Sequence, residues 1–183
     1  MLRVFINPGH DLEIDPGTDG NGLVERYVAS DVGKALSQIL TEIGYPNKVL
    51  QSNNLNGEDP ERPNVCATAN NGDYDIFVSI HCNGSENPNA RGTETLVYEL
   101  NGGKACILAN CIQKQIVDSL GTVDRGVKER DDLCVLRETS IPAVLVEIAF
   151  LSNADDAIKI RTKLREFARA IARGITDYEL EVQ

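Results

Sequence analysis

Short, almost wholly apolar runs separated by amphipathic stretches constrain this chain more than any other feature. Leu2-Arg-Val-Phe-Ile6, Ile76-Phe-Val-Ser-Ile80 and Ala143-Val-Leu-Val146 carry hardly a polar residue. A strand with one face in water alternates polar with apolar, so runs like these belong to strands buried on both faces. Helical patterns lie between them. From about Leu23 to Ile43, Val24, Tyr27, Val28, Val32, Leu36, Ile39, Leu40 and Ile43 share one helical face, while Arg26, Ser30, Lys34, Gln38 and Glu42 lie off it. Leu108, Ala109, Ile112, Ile116 and Leu120 mark a second helix over Lys104–Leu120, stopped by Gly121. Ile160, Leu164, Phe167, Ala168, Ile171, Ile175 and Tyr178 stripe a last one. Asn153 caps that helix, and Asp155 and Asp156 sit in its first turn, where the helix dipole favours negative charge. Strands alternating with helices predict an α/β fold built on a largely parallel sheet covered on both faces.

The remaining punctuation fills in this outline. Asn21 is the expected N-cap of the first helix, and Gly44 with Pro46 ends it. Lys48–Leu50, Asp75–Ile80, Thr93–Tyr98, Leu133–Leu136 and Ala143–Glu147 read as strands. Glu61–Asn71 reads as a short helix, with Pro63 tolerated only in its first turn. Segments 10–22, 53–60 and 83–92 are polar loops. The sequence has no internal repeat or interdomain linker, and 183 residues is the size of a single domain, 1–183.

A formal net charge of −10 and the lack of any basic stripe exclude nucleic acid as a partner. An anionic polymer would have to be gripped in a cleft or through another module. No apolar run approaches the ~18 residues of a membrane span. Met1-Leu2-Arg3 leads straight into a strand, so no signal peptide is expected. That leaves a cytoplasmic protein, a phage-released lysin, or a domain of a longer secreted chain. Five cysteines, Cys66, Cys82, Cys106, Cys111 and Cys134, include no CxxC pair, and they read as small buried hydrophobes rather than as a zinc knuckle or redox pair.

The chain has only two histidines. His10 follows the first apolar run, in Asn7-Pro8-Gly9-His10, and His81 follows Ile80. Glu147 ends the Ala143 run, and Glu25 falls in the first turn of the helix after the first strand. Open α/β sheets bind ligands outside the carboxyl ends of their strands, so these four side chains meet at one edge if the strands are parallel. Two imidazoles and a carboxylate are a ligand set for catalytic zinc that leaves a position for water, and a second carboxylate could take that water's proton. Ordinary readings stand beside this one. A histidine after a strand is often a plain loop residue, and Glu25 could simply answer its helix dipole. Glu147 is harder to dismiss, because a carboxylate within a buried strand must be paired, protonated or metal-linked. A calcium site in the acidic loop fails, since the bidentate Glu position of the EF-hand pattern falls on Arg26. A Cys82 nucleophile beside His81 also fails, because neighbours on a strand point to opposite faces.

The motifs that hold these residues resemble those of the zinc-dependent N-acetylmuramoyl-L-alanine amidases of amidase type 3, in order and over nearly the whole chain. They are Val4-Phe-Ile-Asn-Pro-Gly-His10, Asp15-Pro-Gly-Thr-Asp-Gly-Asn-Gly-Leu-Val-Glu25, Phe77-Val-Ser-Ile-His-Cys-Asn83, Arg91-Gly-Thr-Glu-Thr95, Asp124-Arg-Gly-Val-Lys128 and Val135-Leu-Arg-Glu-Thr-Ser-Ile-Pro-Ala-Val-Leu-Val-Glu147, with Phe150-Leu-Ser-Asn153 after them. The resemblance implies a three-layer α/β fold with a mixed, mostly parallel six-stranded sheet flanked by helices. It implies Zn2+ held by His10, Glu25 and His81, with Glu147 as the catalytic carboxylate and Asn83 and Arg137 lining the substrate cleft. The implied reaction is hydrolysis, at the cell wall, of the peptidoglycan amide between N-acetylmuramic acid and L-alanine. A separate wall-targeting module or activator protein would complete it. The chain departs from the family pattern at Asp11-Leu-Glu-Ile14, which replaces a Gly-Gly and adds one residue, and at Cys82 and Ala149, where Ala and Gly are commoner. Two rivals remain at this point: a non-catalytic wall-binding module on the same fold, and a zinc carboxypeptidase acting on stem peptides.

Overall fold

A computed structural model describes residues Met1–Gln183 and buries the apolar runs as central strands. In chain order the elements are β1 (Val4–Pro8), β2 (Asp19–Gly20), β3 (Leu23–Val24), α1 (Glu25–Glu42), β4 (Asn47–Val49), α2 (Val65–Asn71), β5 (Ile76–Asn83), β6 (Thr93–Val97), α3 (Lys104–Leu120), β7 (Asp124–Glu129), α4 (Cys134–Arg137), β8 (Ala143–Phe150) and α5 (Ala154–Val182). Six strands form one sheet in the order β4-β1-β5-β8-β6-β7. The first four run parallel, β6 pairs antiparallel with β8, and β7 is parallel to β6. This is the mixed, mostly parallel α/β sheet expected.

The strand period divides the side chains between two unequal cores. Val4, Ile6, Ile76, Val78, Ile80, Cys82, Val144, Val146 and Ile148 face α1, α3 and α5 in the larger one. Phe5, Phe77, Leu96, Ala143 and Leu145 face the short helices α2 and α4 in the smaller one. By the same alternation His81 follows Phe77, and Glu147 follows Ala143 and Leu145. Both therefore belong to the thinly covered face, where the sheet's carboxyl edge is open.

Several local expectations need correction. Asn21 does not cap α1. The helix begins at Glu25 after Val24, and Asn21 turns the β2–β3 hairpin with φ 49°, its side chain donating to the Leu151 carbonyl at 2.8 Å. The helix expected from Glu61 spans only Val65–Asn71, because Asn64 accepts from the Ala67 amide at 2.8 Å and sets its start. Of residues 133–136, expected as a strand, Leu133 is the N-cap and the other three lie in the single turn of α4, since so short an apolar run fits either period. Strand β7, Asp124-Arg-Gly-Val-Lys-Glu129, was not expected, because this polar edge strand is half-exposed along its length and shows no clean alternation. His81 does not end its strand; β5 runs on to Asn83 with a register shift between the two.

Candidate metal centre

Each element delivers one side chain to the carboxyl edge of the sheet. The chain leaves β1 at Pro8, and the Gly9 amide still bonds to the Ile80 carbonyl at 2.8 Å. A Cβ on Gly9 would lie 2.3 Å from His81 Cε1, so only glycine lets His81 lie over the backbone there. His10 then adopts φ 64°, a left-handed conformation strained for a residue with a side chain. The acidic loop returns at Asp15, whose Oδ2 lies 2.9 Å from His10 Nδ1. Gly17 has φ 68°, and a Cβ there would lie 2.5 Å from Glu25 Oε2 and from His10 Cδ2. The loop that departs from the family pattern closes on itself. The Asp11 carboxylate accepts from the Glu13 and Ile14 amides at 2.8 and 3.1 Å, and Arg62 bridges Asp11 and Glu13 at 2.7 Å each. This turn joins His10 to Asp15, and Asp15 meets His10.

Glu25 is buried at the start of α1 and joins the two imidazoles. Its Oε2 lies 2.9 Å from His10 Nε2, and its Oε1 lies 2.9 Å from His81 Nδ1. The Thr18 and Cys82 amides donate to the same carboxylate at 2.9 Å each. The two imidazole rings meet edge-on with centroids 5.0 Å apart. One donor atom from each of His10, Glu25 and His81 falls within 4.8 Å of the others. Glu147 stands in register with His81 on one side and Glu94 on the other. Its Oε2 is buried without any hydrogen-bond partner.

The charges follow from these contacts. Burial alone would lower the His10 pKa, but the bonds to Glu25 and Asp15 outweigh it and raise the pKa to about 9. Burial also works against the Glu25 charge, yet the bonds from His10, His81 and the Cys82 amide hold its carboxyl well below the usual range. Burial raises Glu147 to about 7; the His81 charge opposes the rise, while Glu25 and Glu94 reinforce it. Burial disfavours the Glu94 charge too, but Lys128, Arg125 and Asn83 together bring its pKa down to about 2. Cys82 points into the larger core, and burial beside Glu25 and Glu147 pushes its thiol well up, so it is no nucleophile.

His10, Glu25, His81 and Glu147, singled out from the sequence, thus lie together. Asn83 lies beside them, and its Nδ2 donates to Glu94 Oε1 at 3.0 Å. Arg137 is held apart: it is nearly half-exposed at the end of α4, paired with Glu138 at 2.8 Å, and does not line the pocket beside the histidines. Sequence reasoning gave no role to Asp15, Glu94, Arg125 or Lys128. Asp15, five residues after His10, was legible only as a member of the Asp15–Glu25 motif. Glu94, Arg125 and Lys128 become neighbours only when β7 pairs with β6.

Two imidazoles and a carboxylate facing one point, with an unpartnered buried carboxyl oxygen beside them, form a donor set suited to a divalent metal. The sequence profile of amidase type 3, described as N-acetylmuramoyl-L-alanine amidase, matches residues 4–177. The N-acetylmuramoyl-L-alanine amidase LytC of Bacillus subtilis (strain 168) is 36% identical over 180 residues, covering 96% of this chain. The chain spans 35% of that relative's length. A crystal structure of an N-acetylmuramoyl-L-alanine amidase from Clostridium difficile 630 superposes with a TM-score of 0.84 at 28% identity, covering 100% of this chain and 98% of that one. The CwlD amidase of Clostridioides difficile, solved in complex with the GerS lipoprotein, superposes with a TM-score of 0.85 at 26% identity over 100% of both chains. Motif order, strand order and these matches agree: the chain belongs to the N-acetylmuramoyl-L-alanine amidase family of amidase type 3.

Proposed function

We propose that this domain hydrolyses the amide between the lactyl group of N-acetylmuramic acid and the L-alanine of the peptidoglycan stem, with Zn2+ held by His10, Glu25 and His81. The observation that carries the reading is the convergence of three donor atoms within 4.8 Å, beside a buried carboxyl oxygen that no group in the chain satisfies. Zinc bound there supplies Lewis-acid polarisation of the scissile carbonyl and a water whose pKa is about 7. Asp15 accepts the Nδ1 proton of His10 and leaves Nε2 free to ligate, and the amides of Thr18 and Cys82 fix the Glu25 carboxylate. Glu147, poised near neutrality, takes a proton from water and returns it to the departing amine nitrogen. Glu94, opposite Glu147, adds negative charge that favours the protonated, donating form.

Residues 1–183 act as one catalytic domain at the cell wall, in a protein secreted or released by a phage. No helix is long and apolar enough to cross a membrane. The chain spans about a third of LytC, and CwlD was solved bound to a lipoprotein, so a wall-targeting module or activating partner would complete it. The test is mass spectrometry of peptidoglycan digested by zinc-loaded, chelated and Glu147→Gln protein. Intact stem peptides released only by the zinc-loaded wild type are expected. Full hydrolysis by metal-free protein would overturn the reading. Shortened stems still attached to sugar would indicate a carboxypeptidase, and wall binding without zinc or cleavage would indicate a binding module.

A further inference from the structure

Two short helices, α2 and α4, cover the smaller core, and each carries a cysteine. Cys66 lies buried in the first turn of α2, and Cys134 begins α4, partly exposed. Both pack with Phe77 and Leu145 in that core. The two helices are latched one turn further on. Asn70 Nδ2 donates to the Glu138 carbonyl at 2.7 Å, and Asn70 Oδ1 accepts from the Ser140 amide and hydroxyl at 2.8 and 3.0 Å. Cys66 precedes Asn70 by one turn, on the same face of α2. Cys134 precedes Glu138 by one turn, and the Glu138 amide bonds back to the Cys134 carbonyl at 2.8 Å. The latch therefore sets the two thiols against each other, in side-chain contact. Thr139 Oγ1 completes the cluster by donating to Cys66 Sγ at 3.9 Å. Cys82, Cys106 and Cys111 lie in the larger core, across the sheet. The pair is far apart in the chain, so no spacing pattern marks it.

We propose that Cys66 and Cys134 form a disulfide when the protein meets oxidising surroundings, and that this bond staples α2 to α4. A disulfide forms only between cysteines that face each other at short range, as these two do. The oxidant is a low-molecular-weight disulfide. Cys134, the more exposed thiol, gives up its proton and attacks one sulfur of the oxidant. One small thiolate leaves, takes up that proton, and a mixed disulfide remains on Cys134. Cys66 then attacks the Cys134 sulfur, and its proton passes to the second departing thiolate. The protein thiols lose two electrons and two protons, and the small disulfide is reduced to two thiols. Burial pushes the Cys66 thiol up to about 12 and raises Cys134 as well. Such thiols ionise little, so closure is slow, but they are also poor leaving groups, so the closed bond resists reduction. The staple closes a loop that holds β5, β6, α3 and β7. Leu133, Cys134 and Val135 also line the pocket beside His10 and His81, so the bond fixes one wall of the metal centre.

The test incubates the reduced, folded chain with oxidised glutathione and reads the product by mass spectrometry and thermal melting. Loss of two hydrogens and a single linked peptide joining Cys66 to Cys134 are expected. Tm should rise by about 5–10 °C and return to its starting value in dithiothreitol. Cys134→Ala, a change at a partly exposed position that leaves Cys66 in the core, should show neither the link nor the rise. A lasting glutathione adduct on Cys134, a link between other cysteines, or thiols still free after prolonged exposure would overturn the inference. A Cys66–Cys134 link with no change in Tm would overturn the staple. None of these readouts depends on hydrolysis, so the outcome is independent of the reaction proposed above.

Discussion

Replacing the carboxylate of Glu147 should make the metal-free protein more stable and remove its catalysis. Glu147 sits in the middle of β8, its Oε2 buried without a partner, and its pKa is raised from 4.5 to about 7. The folded state therefore holds this proton more tightly than the unfolded chain does. Stability falls as pH rises from about 4.5 to about 7, and above that the full penalty for the buried charge is present. A displacement of about 2.5 pH units at about 1.36 kcal/mol each gives about 3 kcal/mol at pH 8, of which less than 1 kcal/mol is present at pH 5. Glu147→Gln removes the charge and keeps the shape. Measured by urea denaturation in the presence of a chelator, its stability advantage over wild type should be larger at pH 8 than at pH 5 by about 2–3 kcal/mol. Taking the difference between the two pH values cancels the unmet hydrogen bonds that the amide shares with the protonated acid. Turnover should fall about 10²- to 10⁴-fold, the range lost with a general acid–base group. An advantage that does not change between pH 5 and pH 8 would refute the reasoning, because it would mean that Glu147 is not held against its charge in the folded protein.

Other perturbations reach the same centre from different sides. Gly9→Ala places a Cβ 2.3 Å from His81 Cε1, so the ring must move; zinc affinity should fall at least about tenfold, read by competition with a chromophoric chelator. His10, with its pKa near 9, carries an extra proton at pH 7.5 that a metal must displace. Zinc titration calorimetry in buffers of different ionisation enthalpy should then report release of about one proton, and release near zero would contradict the ion pair with Glu25. Glu94, held down to about 2 by Lys128, Arg125 and Asn83, stabilises the fold fully above about pH 4.5 and loses that contribution as pH falls through 2. Its partners are partly exposed, so Glu94→Gln should cost about 1–2 kcal/mol at pH 7, shrinking towards zero near pH 2, by chemical denaturation.

The pattern of residues along the chain determined a good deal by itself. Buried strands must be apolar on both faces, so the runs at 4–6, 76–80 and 143–146 announced a covered sheet. Helices must turn one stripe to that sheet, so the stripes of α1, α3 and α5 were legible. A protein that uses only two histidines, each directly after or close behind an apolar run, and breaks a buried run with Glu147 also disclosed most of its centre. Where the signal was only local and short, it misled. Leu133–Leu136 fits a turn of helix as well as a strand, and the polar β7 carries no pattern because its edge position asks for none. Tertiary structure decided the rest. It set β6 and β7 antiparallel to the other strands, which brings Glu94, Arg125 and Lys128 beside Glu147. It placed Asn53 in the pocket wall beside the histidines. Those outcomes depend on which strand lies next to which and in what register, and that is fixed by packing between segments far apart in the chain.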